Sequence, residues 1–172
     1  MKQIYSHYKI FGGFGLLLAF NIFFAFLVYK GLIVGREIRL FDTATWLHNS
    51  NNKLVLFLLG IQLFWLLLFV TQCKFIIVNN HTITFVNPLL PFIRFRKKWT
   101  SYDYYLTIEE YSRGGTHEAV WLIKNGKVKS RISSFYYSNY QDLKDSLCLR
   151  DSGTLNANAF SQLFYLLGMR VK

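Results

Sequence analysis

Polar residues are nearly absent from two stretches of the chain. In "IFGGFGLLLAFNIFFAFLVY", Ile10 to Tyr29, Asn21 is the only strongly polar residue. From Leu54 to Val70 the only polar residue is Gln62, and this stretch can extend to Cys73. A bilayer core of about 30 Å takes about 20 helical residues, with about 17 enough, so each stretch predicts a spanning helix. The first is longer than the ~7–15-residue core of a cleaved signal peptide, and no small-x-small cleavage site follows it. The second is too uniformly apolar for a soluble helix, which carries its grease on one stripe.

After Cys73 the pattern alternates. "KFIIVNNHTITFVN" predicts two strands, 74–79 and 82–87, joined by a tight Asn-Asn-His turn. "PFIRFRKKW" predicts a third, with prolines suited to a strand entry or an edge. "DYYLTIEEY" is a fourth, with Tyr104, Leu106 and Ile108 on one face. "SRGG" is a turn and "HEAVWLIK" a fifth strand. Asn125-Gly126 is the strongest hairpin signal in the chain. It leads into "KVKSRIS", a sixth strand with Val128, Ser130 and Ile132 inward and Lys127, Lys129 and Arg131 outward. From Ser138 or Asn139, either able to cap, the period becomes helical, with Tyr140, Leu143 and Leu147 on one stripe.

The predicted fold is therefore a membrane α-helical hairpin plus an α+β unit. That unit is a small antiparallel barrel or curled sheet of six or seven strands, with a helix plugging one end. The predicted divisions are an N-terminal segment 1–9, a hairpin 10–73 with an outward loop at about 31–52, a β domain 74–150 and a tail 151–172. In the tail, Gly153 breaks the preceding helix, and Phe160, Leu163, Phe164 and Leu167 follow an i, i+3, i+4, i+7 rule. Three uses fit that stripe: packing on the rest of the chain, lying in a membrane interface, or holding a partner.

Composition agrees with the membrane reading. Of 172 residues, 52% are hydrophobic, 19% aromatic and only 17% charged, more apolar surface than a soluble domain this short can hide. The net charge of +11 calls for anionic partners: lipid, an acidic protein or nucleic acid. Residues 74–172 hold fourteen basic and seven acidic side chains, so the excess sits mostly beyond the hairpin. Lys2, Lys9, Lys74, Arg94, Arg96, Lys97 and Lys98 flank the outer ends of the two apolar stretches, against Lys30, Arg36, Arg39 and Lys53 between them. Seven against four places both termini in the cytoplasm. Trp46 in the outward loop reads as an interfacial anchor.

Asn21 lies eleven residues into the first stretch and Gln62 ten residues before Gln72. At ~1.5 Å per residue both are roughly 15–17 Å deep. An unpaired amide in hydrocarbon costs several kcal/mol, so the two are expected to face each other as an intramembrane polar pair. An ion or proton pathway would need ionisable groups, which these stretches lack.

The order of two N-terminal membrane helices, a meander of short strands and a closing helix resembles bacterial membrane proteins that carry a pleckstrin-homology-like (PH-like) domain. The resemblance rests on "ITFVNPLLPFIRFRKKWTSYDYY", "AVWLIKNGKVKSRISS" and the helix entry "SNYQDL", and covers most of Lys74 to Arg150. It implies a barrel-like fold with a capping helix, a bacterial inner-membrane location, and binding or scaffolding rather than catalysis. Phosphoinositide-binding members of the wider superfamily cluster basic residues at the first hairpin. Here that hairpin, "VNNHTIT", has only His81, and the basic cluster falls on the third strand.

In an extended strand Arg94, Arg96 and Lys98 share one face while Ile93, Phe95 and Trp99 share the other and fill the core. With Lys127, Lys129 and Arg131, the first set forms the candidate anionic-contact surface. A solvated face that discourages edge pairing is the plainer reading; headgroup docking at ~1 kcal/mol per basic residue and an acidic protein partner are the sharper ones. Basic strands with aromatics can also stack on single-stranded nucleic acid, but the tether and the absence of an RNA-binding signature argue against it.

Catalytic chemistry has little footing. His7, His48, His81 and His117 lack ligand spacing, and Cys73 and Cys148 are far apart and read as packing residues. "SRGGTHE" groups Ser, His and Glu on one turn, where a nucleophile and base lack the geometry that separate elements provide. Glu109 and Glu110 are adjacent on a strand and so point apart. No catalytic residue, metal site or cofactor is expected. The partners expected are the bilayer and a protein or a second copy, with no nucleic acid. Small membrane proteins of this plan also serve as immunity or antitoxin proteins, or as accessory subunits of larger complexes, and the sequence leaves those roles open.

Overall fold

The computed structural model describes residues 3–34, 50–112 and 115–171. Helix α1 runs over Gly13–Val34 and α2 over Ser50–Gln72, 22 and 23 residues long. At ~1.5 Å per residue each exceeds 30 Å. Both are long and apolar enough to cross a membrane, and only 17% and 11% of their apolar windows are buried, unlike the core helix of a soluble protein. Trp46, His48 and most of the predicted loop lie outside the described residues.

Residues 15–72 form one compact unit and residues 1–14 with 73–172 the other. In the second unit the strands are β1 (Ile4–Tyr5), β2 (Phe75–Val78), β3 (Thr82–Val86), β4 (Arg94–Lys98), β5 (Tyr104–Ser112), β6 (Gly115–Lys124), β7 (Lys127–Ser133) and β8 (Asp151–Leu155). Helices α3 (Tyr140–Asp145) and α4 (Ala159–Leu166) complete it. The strands make two four-stranded sheets, β1-β2-β3-β4 and β7-β6-β5-β8.

The barrel expectation is corrected here. Closing the meander would require β4 to pair with β5. Instead a 3₁₀ turn at Trp99–Ser101 separates them, and β8 takes the outer edge of β5 in parallel. The two sheets pack face to face instead. Ile76, Val78, Ile83 and Phe85 of the first sheet share a core with Val120, Leu122 and Ile132 of the second, and with Tyr140 and Leu143 of α3.

The other face of the second sheet carries a separate core of Leu106, Ile108, Ala119, Trp121 and Ile123, against which Tyr165 of α4 packs. The layer order is thus first sheet, second sheet, α4. Strand β6 lies between two cores, which explains why "AVWLI" is a continuous apolar run rather than an alternating one. The Asn125-Gly126 turn has φ of 53° and 71°, the left-handed pair that a two-residue hairpin requires.

The N-terminal segment belongs to the sheet. Ile4 pairs with Val78 and Tyr5 with Ile77. Ser6 exchanges two 2.8 Å hydrogen bonds with the backbone of Ile76. Asn139, one of the two expected caps of α3, is diverted to hold this segment. Its Oδ1 accepts from the His7 amide and its Nδ2 donates to the Tyr5 carbonyl, each at 2.8 Å.

Candidate functional site

Register places the basic residues of β4. Arg94, Arg96 and Lys98 stand opposite Val86, Thr84 and Thr82, while Phe95 and Lys97 stand opposite Phe85 and Ile83. The first three therefore share the outer face of the first sheet, and all are exposed. The inward set behaves otherwise than expected. Phe95 is 59% exposed, because β4 is an edge strand and its inward face overhangs the rim of the core. Lys97 curls over the Tyr102 ring at 5.7 Å, and Trp99 alone is fully inserted. Lys74 sits over Phe85, and its amine is held below the usual lysine range by burial and then by repulsion from Lys97.

Lys127, Lys129 and Arg131 lie on β7, an edge of the other sheet. The ladder pairs Leu122 with Ser130 but Ile123 with Val128, so Lys129 is the extra residue of a bulge. The bulge splits the expected inward set: Val128 joins the Trp121 core while Ile132 joins the core between the sheets. Lys127 and Lys129 remain exposed. Arg131 turns inward to Glu110, with Nε 2.7 Å from Oε1 and Nη2 donating to Oε2 at 2.9 Å. Side-chain exposures of 22% and 12% make this a partly buried pair. Ser133 Oγ donates to the same carboxylate at 2.8 Å, and the guanidinium lies 5.6 Å from the Tyr136 ring. The candidate surface is thus a β4 trio and two β7 lysines on separate sheets, with Arg131 committed to the fold.

Sequence spacing gave no sign of this network, because Glu110 and Arg131 meet across the strand between them. With Phe135, Tyr136, Leu163 and Leu166 they line a cavity of about 330 Å³ beside α4. A second ion pair lies on β6, where Glu118 accepts from Lys144 Nζ at 2.6 Å and Tyr140 Oη at 2.9 Å. The lysine holds the Glu118 carboxyl below its ordinary value of 4.5, and burial raises the Tyr140 phenol. Cys73 is buried, but Cys148 is exposed, contrary to the packing role expected of it. His7, His81 and His117 fall at three separate places, and no cluster of metal-ligating side chains occurs among the described residues.

Within the helical unit, Asn21 is 9% exposed. Its Nδ2 donates to Leu17 O at 2.8 Å and to Trp65 O at 3.1 Å, and its Oδ1 accepts from Gln62 Nε2 at 3.4 Å. Gln62 Oε1 is buried with no hydrogen-bond partner among the described residues. Phe20 stacks on Trp65 at 4.4 Å beside the pair.

No family model, curated protein or solved structure matches this chain.

Proposed function

We propose that this protein is a non-catalytic binding and scaffold module anchored in the bacterial inner membrane. In this reading α1 and α2 cross the bilayer, both termini lie in the cytoplasm, and the β unit is a PH-like module opened into two sheets. The supporting observation is the pairing of β1 with β2, one before α1 in the chain and one after α2. A hairpin that crosses the membrane twice returns to the side it left, so segments on either side of it can share a sheet. The exposed trio Arg94, Arg96 and Lys98 is the surface through which the module meets an anionic partner.

Cys148 tests the topology in the native chain. A membrane-impermeant maleimide should label it only after spheroplasts are permeabilised, while Cys73 stays protected; labelling in intact spheroplasts would overturn the cytoplasmic assignment. Affinity purification in mild detergent tests the surface. A stoichiometric partner should be captured by the native chain and lost with Arg96→Glu and Lys98→Glu together. Selective binding to anionic vesicles, abolished by the same change, would identify headgroups instead.

A further inference from the structure

We propose that the β unit is seated in the bilayer interface at two points, the β3–β4 loop and helix α4, which flank the chain's entry into α1 and its exit from α2. This rests on the membrane-anchor reading above and adds how the β unit contacts lipid.

Hydrogen bonds gather one end of the unit. Gly13 N donates to Phe135 O and Lys9 N to Tyr136 O, both at 2.8 Å. Tyr8 Oη donates to Cys73 O at 2.8 Å, and Tyr137 Oη donates to Lys74 O. The start of α1 and the residues just after α2 therefore share this end. Gly12 and Gly13 permit the approach, since a Cβ at either would fall 2.5 Å from an atom of Phe135. The residues leading into α1, Ile10 and Phe11, are 70% and 99% exposed.

Both apolar elements lie at this end. Phe75, Val86 and Arg94 form one row across β2, β3 and β4. The loop between Val86 and Arg94 thus projects where α2 delivers the chain, and the Asn79–His81 turn lies at the far end. That loop exposes Leu89, Leu90 and Phe92, the last by 75%. Arg94 Nε donates to Pro91 O at 3.0 Å, so a cation stands at the base of the apolar tip. On the other side, Leu163 and Leu166 of α4 line one cavity with Phe135 and Tyr136.

Helix α4 is mounted with its polarity reversed. Its inner side is Gln162, 7% exposed, whose Nε2 donates to Glu109 O and Ala157 O at 2.8 Å each, and Tyr165, edge-on to Trp121 at 6.3 Å. The stripe Phe160, Leu163, Phe164 and Leu167 points outward, with exposures of 50–76%. Two hydrogen bonds and a ring contact fix this orientation, so the greasy side stays outward. Soluble surfaces rarely carry contiguous apolar patches of this kind. An apolar helix face and aromatic tips beside basic residues are what a headgroup–acyl boundary accepts.

The occupant follows from the layout. The loop belongs to the first sheet and α4 covers the far face of the second, with the chain's entry and exit between them. A bilayer surface meets both at once, at the points where the chain enters α1 and leaves α2.

The test uses the full chain with Cys148→Ser, reconstituted in phosphatidylcholine–phosphatidylglycerol vesicles containing lipids brominated along the acyl chain. A single environment-sensitive fluorophore is placed in turn at Phe92→Cys, Phe164→Cys, His81→Cys and Leu63→Cys, all exposed positions. Probes at 92 and 164 should each lose about two-fold in emission to bromolipid, as interfacial residues do, and the probe at 81 should lose none. An unquenched probe at 92 or 164 overturns the seat, and one at 164 shielded from water but blind to bromolipid assigns that face to a protein. The probe at 63 reports the anchor separately: if it is quenched the anchor stands whatever the others do, and if it is not the anchor reading itself fails.

Discussion

Strands β6 and β4 are both rich in large side chains, yet residues 119–123 of β6 are 0% exposed while four of the five residues of β4 are exposed. The difference lies in their neighbours. β6 has a strand on each side and a core on each face, so each of residues 119–123 finds an apolar partner. β4 has one strand neighbour, and only its inward face meets a core, which even Phe95 overhangs. Apolar content therefore leads to burial only where a second layer waits on that face. Edge position leaves the same kind of strand open to solvent.

The contrast is broken most severely at Trp121. Trp121→Ala should cost about 3–5 kcal/mol, the range for removing a large buried aromatic. Thermal unfolding of the full chain in nanodiscs measures it, and a loss below about 1 kcal/mol would mean that α4 does not close a second core. Glu110→Ala comes next, at about 2–3 kcal/mol, because it strands Arg131 in a half-buried site. Glu110→Gln should recover part of that loss, and hydrogen exchange should rise first in β7.

Acid sharpens the contrast by a smaller amount. Glu118, just before the buried run of β6, is depressed chiefly by the hydrogen bond from Lys144. Its contribution is therefore complete above the ordinary carboxyl value of 4.5 and is lost as pH falls below that through the lower folded value. With the carboxylate 41% exposed, the loss should stay under about 1 kcal/mol. Lys144→Met should flatten this part of a stability-versus-pH curve. The smallest effect belongs to β4: Arg96→Ala with Lys98→Ala should change unfolding by no more than about 0.5 kcal/mol. A larger loss would show that the exposed strand helps to hold the fold.

Much of the architecture was legible in the chain because periodicity reports local geometry. The two long helices, strands β2 to β7 within two residues apart from the start of β4, which lies three residues later than expected, and the Asn125-Gly126 turn all carry their own signals. Two strands carried none. β1 is two residues long, too short for any period, and β8 is "DSGTL", a polar edge segment in which only Leu155 is even partly covered. Without β8 the meander reads as a ring; with it, β5 is capped and the ring cannot close.

The candidate surface was half legible. Alternation placed Arg94, Arg96 and Lys98 on one face, but the bulge at Lys129 and the capture of Arg131 by Glu110 depend on partners distant in sequence. Helix α4 shows the same limit. Its apolar stripe was visible from spacing, but spacing does not say whether a stripe faces the protein. Gln162, one polar residue tied to two carbonyls, decided that it faces away.

The two-residue strand β1 also sets an order of events during synthesis. Ser6 leaves the ribosome first, yet the residue whose backbone it must bond follows seventy residues later. At about 5–20 residues per second that is a wait of about 4–14 s, during which both greasy segments are made. Strand β1 can thus join its sheet only after both long apolar helices have been made, so formation of the β1–β2 pair reports that the hairpin is complete.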